Sequence, residues 1–170
     1  MSSPDLTRRG LLAALGATLA LAACGLTPAY GPSGAGALLH DRVSLRAPDD
    51  TDSFAFNRRL TERLGTGTAP AFDLDYRLRI ARVAQAITSA EVATRYSLNG
   101  TADFVLTDRA SGRVITQNQV SAFTSYGATG TTIATLAAER DAHERLMRML
   151  ADQLVTHMLA ADLGAGAGRA

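Results

Sequence analysis

The chain contains no lysine and no tryptophan, and it has one cysteine. All 17 of its basic residues are therefore arginines, set against 16 acidic residues for a net charge of +1. Proteins that track nucleic acids neutralise phosphates with a basic excess, so this balance leaves no nucleic-acid footprint. Aromatic residues make up 5% of the chain, too few to suggest stacking platforms for bases or sugars. A single cysteine excludes an intramolecular disulfide. What is left is a chain of 170 residues, 46% of them hydrophobic, which is enough for one compact domain with one core.

Catalytic constellations are missing as well. The histidines are His40, His143 and His157, none lies beside a nucleophile motif, and no G-x-S-x-G occurs. His143 and His157 fall on one predicted helix about 21 Å apart, too far to ligate one metal. Asp73 and Asp75 share a strand face with Arg77 and Arg79, where mutual neutralisation accounts for them without an acid–base role. Gly65-Thr66-Gly67 and the stretch 127–130 lack the following Lys-Ser and the strand-loop-helix context of a phosphate cradle. The reading is of a protein that is not an enzyme and that has no metal site and no cofactor.

What is present begins with an address. Residues 1–23 combine Arg8 and Arg9, an apolar run from Gly10 to Leu21, and the small pair Ala22-Ala23, which is the layout of a secretory signal. The apolar run is about a dozen residues, short of the roughly 20 that a spanning helix needs. Leu21-Ala22-Ala23-Cys24 looks like a bacterial lipobox, in which the cysteine becomes the first mature residue, its thiol takes a diacylglycerol and its freed amine an acyl chain such as palmitate. Multiple chains, at about 0.8 kcal/mol per methylene, hold where a single one is marginal. Cys24 is thus the expected lipidation site and the link to the membrane. Gly25 stands where an aspartate would resemble the inner-membrane retention signal, so placement in the outer membrane, facing the periplasm, is favoured. Thr7 to Leu12 also resembles a twin-arginine signal, but two arginines are equally what an ordinary n-region supplies, and the export route stays open.

Residues 24–39, rich in Gly, Pro, Ala and Ser, read as a flexible tether. A single α/β domain is expected over 40–163, followed by a small-residue tail at 164–170 expected to be disordered. Arg42 to Arg46 alternates and ends at Pro48, a short strand. Asp49 to Ser53 offers N-cap candidates for a helix running to Leu64 and stopped by Gly65, with Phe56, Leu60 and Leu64 inward and Arg58 paired to Glu62 outside. The period then becomes two: Leu74, Tyr76, Leu78 and Ile80 oppose Asp73, Asp75, Arg77 and Arg79, and a second strand repeats the pattern from Val92 to Leu106. Asp108 to Arg113 is a hairpin-like connection. In the third long strand, from Val114 to Tyr126, Val120 and Phe123 fall on opposite faces, so a bulge or irregular end is expected there. Thr131 or Thr132 opens a last helix reaching about Leu163, with a stripe of Leu136, Leu146, Met147, Leu150, Leu154 and Met158. Arg140, Glu144, Arg148 and Asp152 form a charge ladder read as a solvated face, with Asp141 and Arg145 as a parallel pair. The fold class is α+β: a two-layer sandwich, β-α-β-β-β-α, in which two helices pack on one face of a mostly antiparallel sheet. Its other face is polar, and there Arg77, Arg79 and Arg95 are the candidate ligand residues, since guanidinium forks grip phosphate or carboxylate.

Laid out this way, the chain resembles the LPS-assembly lipoprotein LptE family. The residues that carry the resemblance are Leu21 through Cys24 to Tyr30, close to the opening of that family, then Arg95-Tyr96-Ser97-Leu98-Asn99-Gly100 through Phe104 to Asp108, and Ala137 to Ala142. The resemblance implies a non-enzymatic outer-membrane lipoprotein that plugs the LptD β-barrel and helps place lipopolysaccharide at the outer membrane; that Arg77, Arg79 and Arg95 would face its phosphates rests on their charge and strand position, not on the family. The complete lack of lysine departs from better-known members and puts lysine-dependent contacts in doubt. The alternative is an ABC-transport auxiliary lipoprotein of an envelope lipid transporter, which would share anchor and size.

Overall fold

The structure, a computed structural model, describes residues 31, 34–87, 93–161 and 163. The expected signal segment 1–23, Cys24, most of the tether, Val92 and the 164–170 tail lie outside the described residues. In chain order the elements are α1 (Ala35–Leu39), β1 (Val43–Leu45), α2 (Thr51–Leu64), β2 (Phe72–Ile87), β3 (Ala93–Asp108), β4 (Val114–Gly127) and α3 (Thr132–Leu159). The strands lie side by side as β1-β2-β3-β4, with β1 parallel to β2 and the other pairs antiparallel. The α+β arrangement with helices packed on a sheet holds, and the sheet is mixed because α2 carries the chain back to start β2 alongside β1. Helix α1 is an addition. The tether expected over 24–39 stops short of its predicted end, because residues 35–39 are helical and Leu39 is fully buried in the core.

Helix α2 starts where the sequence places it. The Asp50 carboxylate accepts the Ser53 N–H at 2.6 Å and the Ser53 hydroxyl accepts the Asp50 N–H at 2.9 Å, a reciprocal cap for two otherwise orphaned donors. These bonds hold the Asp50 carboxyl below its ordinary value. Gly65 ends the helix at φ +86°, where a Cβ would sit 2.1 Å from the Asp41 carboxylate, so only glycine fits. Phe56, Leu60 and Leu64 are buried against the sheet, and the Phe56 ring meets Tyr76 at 4.8 Å. Arg58 does not pair with Glu62: it reaches Glu144 on α3 at 3.6 Å, while Glu62 takes Arg59 at 3.0 Å. A neighbouring helix offers partners that a lone helix lacks.

Strands β2 and β3 have 16 residues each and β4 has 14, so the two hairpins extend roughly 50 Å. Their even-numbered residues Leu74, Tyr76, Leu98, Phe104, Leu106, Val120 and Tyr126 are buried under the helices. The irregularity expected near Val120 and Phe123 is absent: pairing runs unbroken from Thr116 to Gly127, and the shift falls at Ile115 instead. Val120 is buried and Phe123 is 74% exposed. The strand is regular, and an aromatic ring really does stand on its open face.

Helix α3 opens at Thr131, whose hydroxyl accepts the Ala134 N–H at 3.3 Å. It ends at Leu159 rather than near Leu163. Leu146, Met147, Leu150, Leu154 and Met158 are fully buried, whereas Leu136, expected on the same stripe, is 58% exposed. The reason is length. At 28 residues α3 is about 42 Å long, and α2, at 14 residues, is about 21 Å. The ion pairs between them run from Asp52 with His143 to Arg59 and Arg63 with Asp152, and none of these involves the first turns of α3, where Ile133 and Leu136 are exposed. The charge ladder read as solvated is in part this seam: Glu144 and Asp152 both face arginines of α2. Asp141 and Arg145 pair as expected.

Candidate functional site: the open face of the sheet

Odd-numbered side chains of the three long strands turn away from the helices. Register sets them in rows: Arg77 with Asp103 and Gln119, Arg79 with Thr101 and Ser121, Ala81 with Asn99 and Phe123, Val83 with Ser97 and Ser125. In the first rows Arg79 Nη2 lies 2.7 Å from Asp103 Oδ2, and Gln119 Nε2 donates to Asp103 Oδ1 at 2.5 Å. Both oxygens of the Asp103 carboxylate are thus engaged, one by Arg79 and the other by Gln119. Arg77 stays exposed, directly across from a partner that Arg79 has taken. Neutralisation does not run along the strand as expected. Asp73 turns to Arg109 at 2.9 Å, and Arg79 crosses to Asp103 on β3, each reaching a diagonal cross-strand neighbour that a long side chain can span.

Two shallow grooves lie along this face. One, of about 470 Å³, is lined by Arg46, Asp75, Arg77, Asp103, Gln117 and Gln119. The other, of about 390 Å³, is lined by Arg79, Ala81, Asn99, Thr101, Ser121 and Phe123. The face is therefore not uniformly polar. Arginine forks at one end grade into small apolar side chains and an exposed ring, Ala81, Val83 and Phe123, at the other. That gradient suits an amphiphile, with guanidinium for a phosphate or carboxylate and apolar surface for what hangs from it.

The structure brings Arg77 and Arg79 together but not Arg95. Arg95 faces Gly127, six residues along β3 from Thr101 in the Arg79 row, and so about 20 Å away. Arg82 was missed. Its even number puts it on the helix side with Leu78 and Ile80, and that parity was its signal. There its guanidinium lies 4.8 Å over the Tyr96 ring and its Nη1 sits 3.4 Å from the Tyr126 hydroxyl and 3.2 Å from Glu139. The bond to Tyr126 holds Arg82 firmly charged, and burial pushes the Tyr126 hydroxyl up. Burial also raises Tyr76, to about 12, and its hydroxyl donates to Asn57 at 2.7 Å, clamping α2 to β2. Those groups hold the fold together.

The histidines stand apart from one another. His143 Nδ1 is 2.9 Å from Asp52, His157 is 3.3 Å from the Asn118 amide, and His40 is beside Asp41 at 3.4 Å. Among the described residues no three of His, Cys, Asp and Glu come together as metal ligands, and no helix is long and apolar enough to cross a membrane. Cys24 lies outside the described residues.

Residues 41–158 match the family described as LptE: Lipopolysaccharide-assembly. Among solved structures, a lipoprotein from Caulobacter crescentus is similar with a TM-score of 0.63 at 19% identity, over 76% of this chain and 96% of that one. The rare lipoprotein B from Shewanella oneidensis gives 0.54 at 13% identity, over 70% and 92%. A minor lipoprotein from Acinetobacter baumannii gives 0.53 at 22% identity, over 71% and 92%. At these identities the likeness is one of fold. No curated protein matches the chain in sequence.

Proposed function

Because the chain belongs to the LptE family of lipopolysaccharide-assembly proteins, we propose that it works as an outer-membrane lipoprotein in complex with an LptD-type β-barrel. In this reading lipidated Cys24 anchors it on the periplasmic side, residues before α1 tether it, and the single domain sits as a plug in the barrel. It performs no reaction; it helps deliver lipopolysaccharide to the outer membrane by holding and placing it. The observation that carries the reading is the family match over residues 41–158. The open face supports it, since its polar end, with Arg77, Arg79, Thr101 and Gln119, suits the polar lumen of a large barrel. Arg77, exposed beside the Arg79–Asp103 pair, offers a guanidinium to a phosphorylated glycolipid, with Phe123 exposed further along the same face. Arg95, about 20 Å from that pair, contributes as a separate contact.

The test is a detergent pull-down of the tagged lipoprotein from its native outer membrane, with partners identified by mass. Stoichiometric recovery of a large β-barrel is the expected result. Recovery of transporter subunits without a barrel would overturn the reading in favour of an ABC-transport auxiliary lipoprotein. Charge reversal of Arg77 and Arg79 to glutamate is then expected to weaken binding of purified lipopolysaccharide by about tenfold, roughly 1.4 kcal/mol, with reversal of Arg95 costing less.

A further inference from the structure

The two edges of the sheet are built differently. The β1 edge is three residues long and is flanked by Arg42, Arg46 and Pro48, the usual means of discouraging a further strand. The β4 edge runs for 14 residues, Val114 to Gly127, with no Asp, Glu, Arg, Lys or Pro among them. No strand pairs with its outer side among the described residues. Ala128 N–H bonds to Thr94 in continuation of the register, so even-numbered residues of β4 bond inward to β3 and odd-numbered ones point their N–H and C=O outward. Two outward groups are already engaged: the Gln119 N–H donates to the Asn118 side chain at 2.8 Å, and the Ser125 carbonyl accepts from Arg145 at 3.3 Å. Between them, Ser121 and Phe123 present their donors and acceptors to whatever lies alongside.

We propose that the β4 edge, centred on Ser121 and Phe123, is a docking edge for an extended, uncharged segment of the barrel partner's polypeptide, which adds to the sheet as a fifth strand. The proposal rests on the barrel-complex reading. An open row of backbone donors and acceptors is matched by another extended backbone, and a strand without charge offers nothing to hold an acidic or basic segment. A second copy of this chain fits less well. The window from Gln119 to Ser125 is about 24 Å long, and pairing over it leaves an interface well below the roughly 800 Å² per partner of a stable dimer. A segment belonging to a partner already held elsewhere needs no such area.

The backbone geometry makes the test selective. Proline at Ser121 or Phe123 removes an outward N–H and spares the ladder to β3, which an edge strand tolerates. At Ala122 it would remove an inward one. Full-length protein carrying Ser121→Pro, and separately Phe123→Pro, is pulled down in detergent from its native outer membrane beside the wild type. The wild type is expected to recover the barrel, and both variants to recover about tenfold less while unfolding at nearly the wild-type denaturant concentration. Backbone hydrogen exchange of wild-type residues 117–125 gives a second readout that needs no variant: it should slow markedly in the complex relative to the free protein. Equal recovery by both variants, or unchanged exchange in the complex, overturns the docking edge and leaves the barrel reading standing. A wild type that recovers no barrel overturns both, and a wild-type dimer in sedimentation that Ser121→Pro abolishes assigns the edge to a second copy instead.

Discussion

The two halves of α3 are one continuous helix in two different environments. From Ala142 to Met158 it lies on the sheet with α2 alongside, and Leu146, Met147, Leu150, Ala151 and Leu154 are fully buried. Ahead of that, Ile133 and Leu136 are 82% and 58% exposed. The sheet beneath divides in the same place: Leu74 and Tyr76 are buried, whereas residues 81–85 of the same strand are all exposed. Apolar content does not distinguish the halves. What differs is whether α2 lies alongside, so a hydrophobic stripe marks where a helix can pack, and the neighbour's length decides how much of it does.

The largest expected effect follows directly. Leu150→Ala removes a fully buried side chain that packs over Gly100, where an added Cβ would come within 3.0 Å of it. It should cost about 3–5 kcal/mol in denaturant unfolding. Leu136→Ala, the same substitution on the same helix, should change stability by less than about 0.5 kcal/mol. Comparable losses would mean that the first turns of α3 are covered after all, and the contrast between the halves would fail.

A smaller effect is expected at the ion pairs. Asp152 receives Arg59 at 3.0 Å and Arg63 at 2.8 Å from across the helix seam, with Arg59 and Arg63 about 30% exposed. Asp152→Ala should cost about 1–2 kcal/mol, less in high salt. At the uncovered half, Glu139 meets Arg82 at 3.2 Å and the Tyr126 hydroxyl, and Glu139→Ala should cost less than Asp152→Ala, about 0.5–1 kcal/mol. A double-mutant cycle of Asp152 with Arg59 isolates the pair and checks that the coupling exceeds that of Glu139 with Arg82.

Much of this was legible in the sequence. Period-two alternation placed Leu74, Tyr76, Phe104 and Leu106 in the core and Arg77 and Arg79 outside, because side-chain direction in a strand is a property of parity alone. The cap at Asp49 to Ser53 and the stop at Gly65 were likewise local. What escaped was set by neighbours. The exposure of Leu136 depends on where α2 begins, the partners of Arg58 and Asp73 depend on a second helix and a second strand, and the burial of Leu39 depends on a core assembled from residues far along the chain. The same holds for the candidate site: parity named the face, but only register reveals that Arg95 stands about 20 Å from the other two arginines and that Phe123 stands near Arg79.

The smallest effect tests where the boundary between the halves is set. Helix α2 begins at the Asp50 cap, two residues ahead of Asp52, which meets His143 on α3. Asp50→Ala should cost about 1 kcal/mol and let the first turn of α2 fray, seen as faster hydrogen exchange at residues 51–54 with residues 146–155 unchanged. The cost should also depend on pH. Bonds to Ser53 depress the folded-state pKa of Asp50 below 3.8, so the cap's charge-linked contribution is fully present above that value and fades as pH falls through the folded-state pKa. The gap in stability between wild type and variant should therefore narrow as pH falls through that folded-state pKa. A gap that persisted undiminished at low pH would mean that the Ser53 hydroxyl holds the cap without the carboxylate's charge, leaving the start of α2, and with it the covered length of α3, independent of Asp50 ionisation.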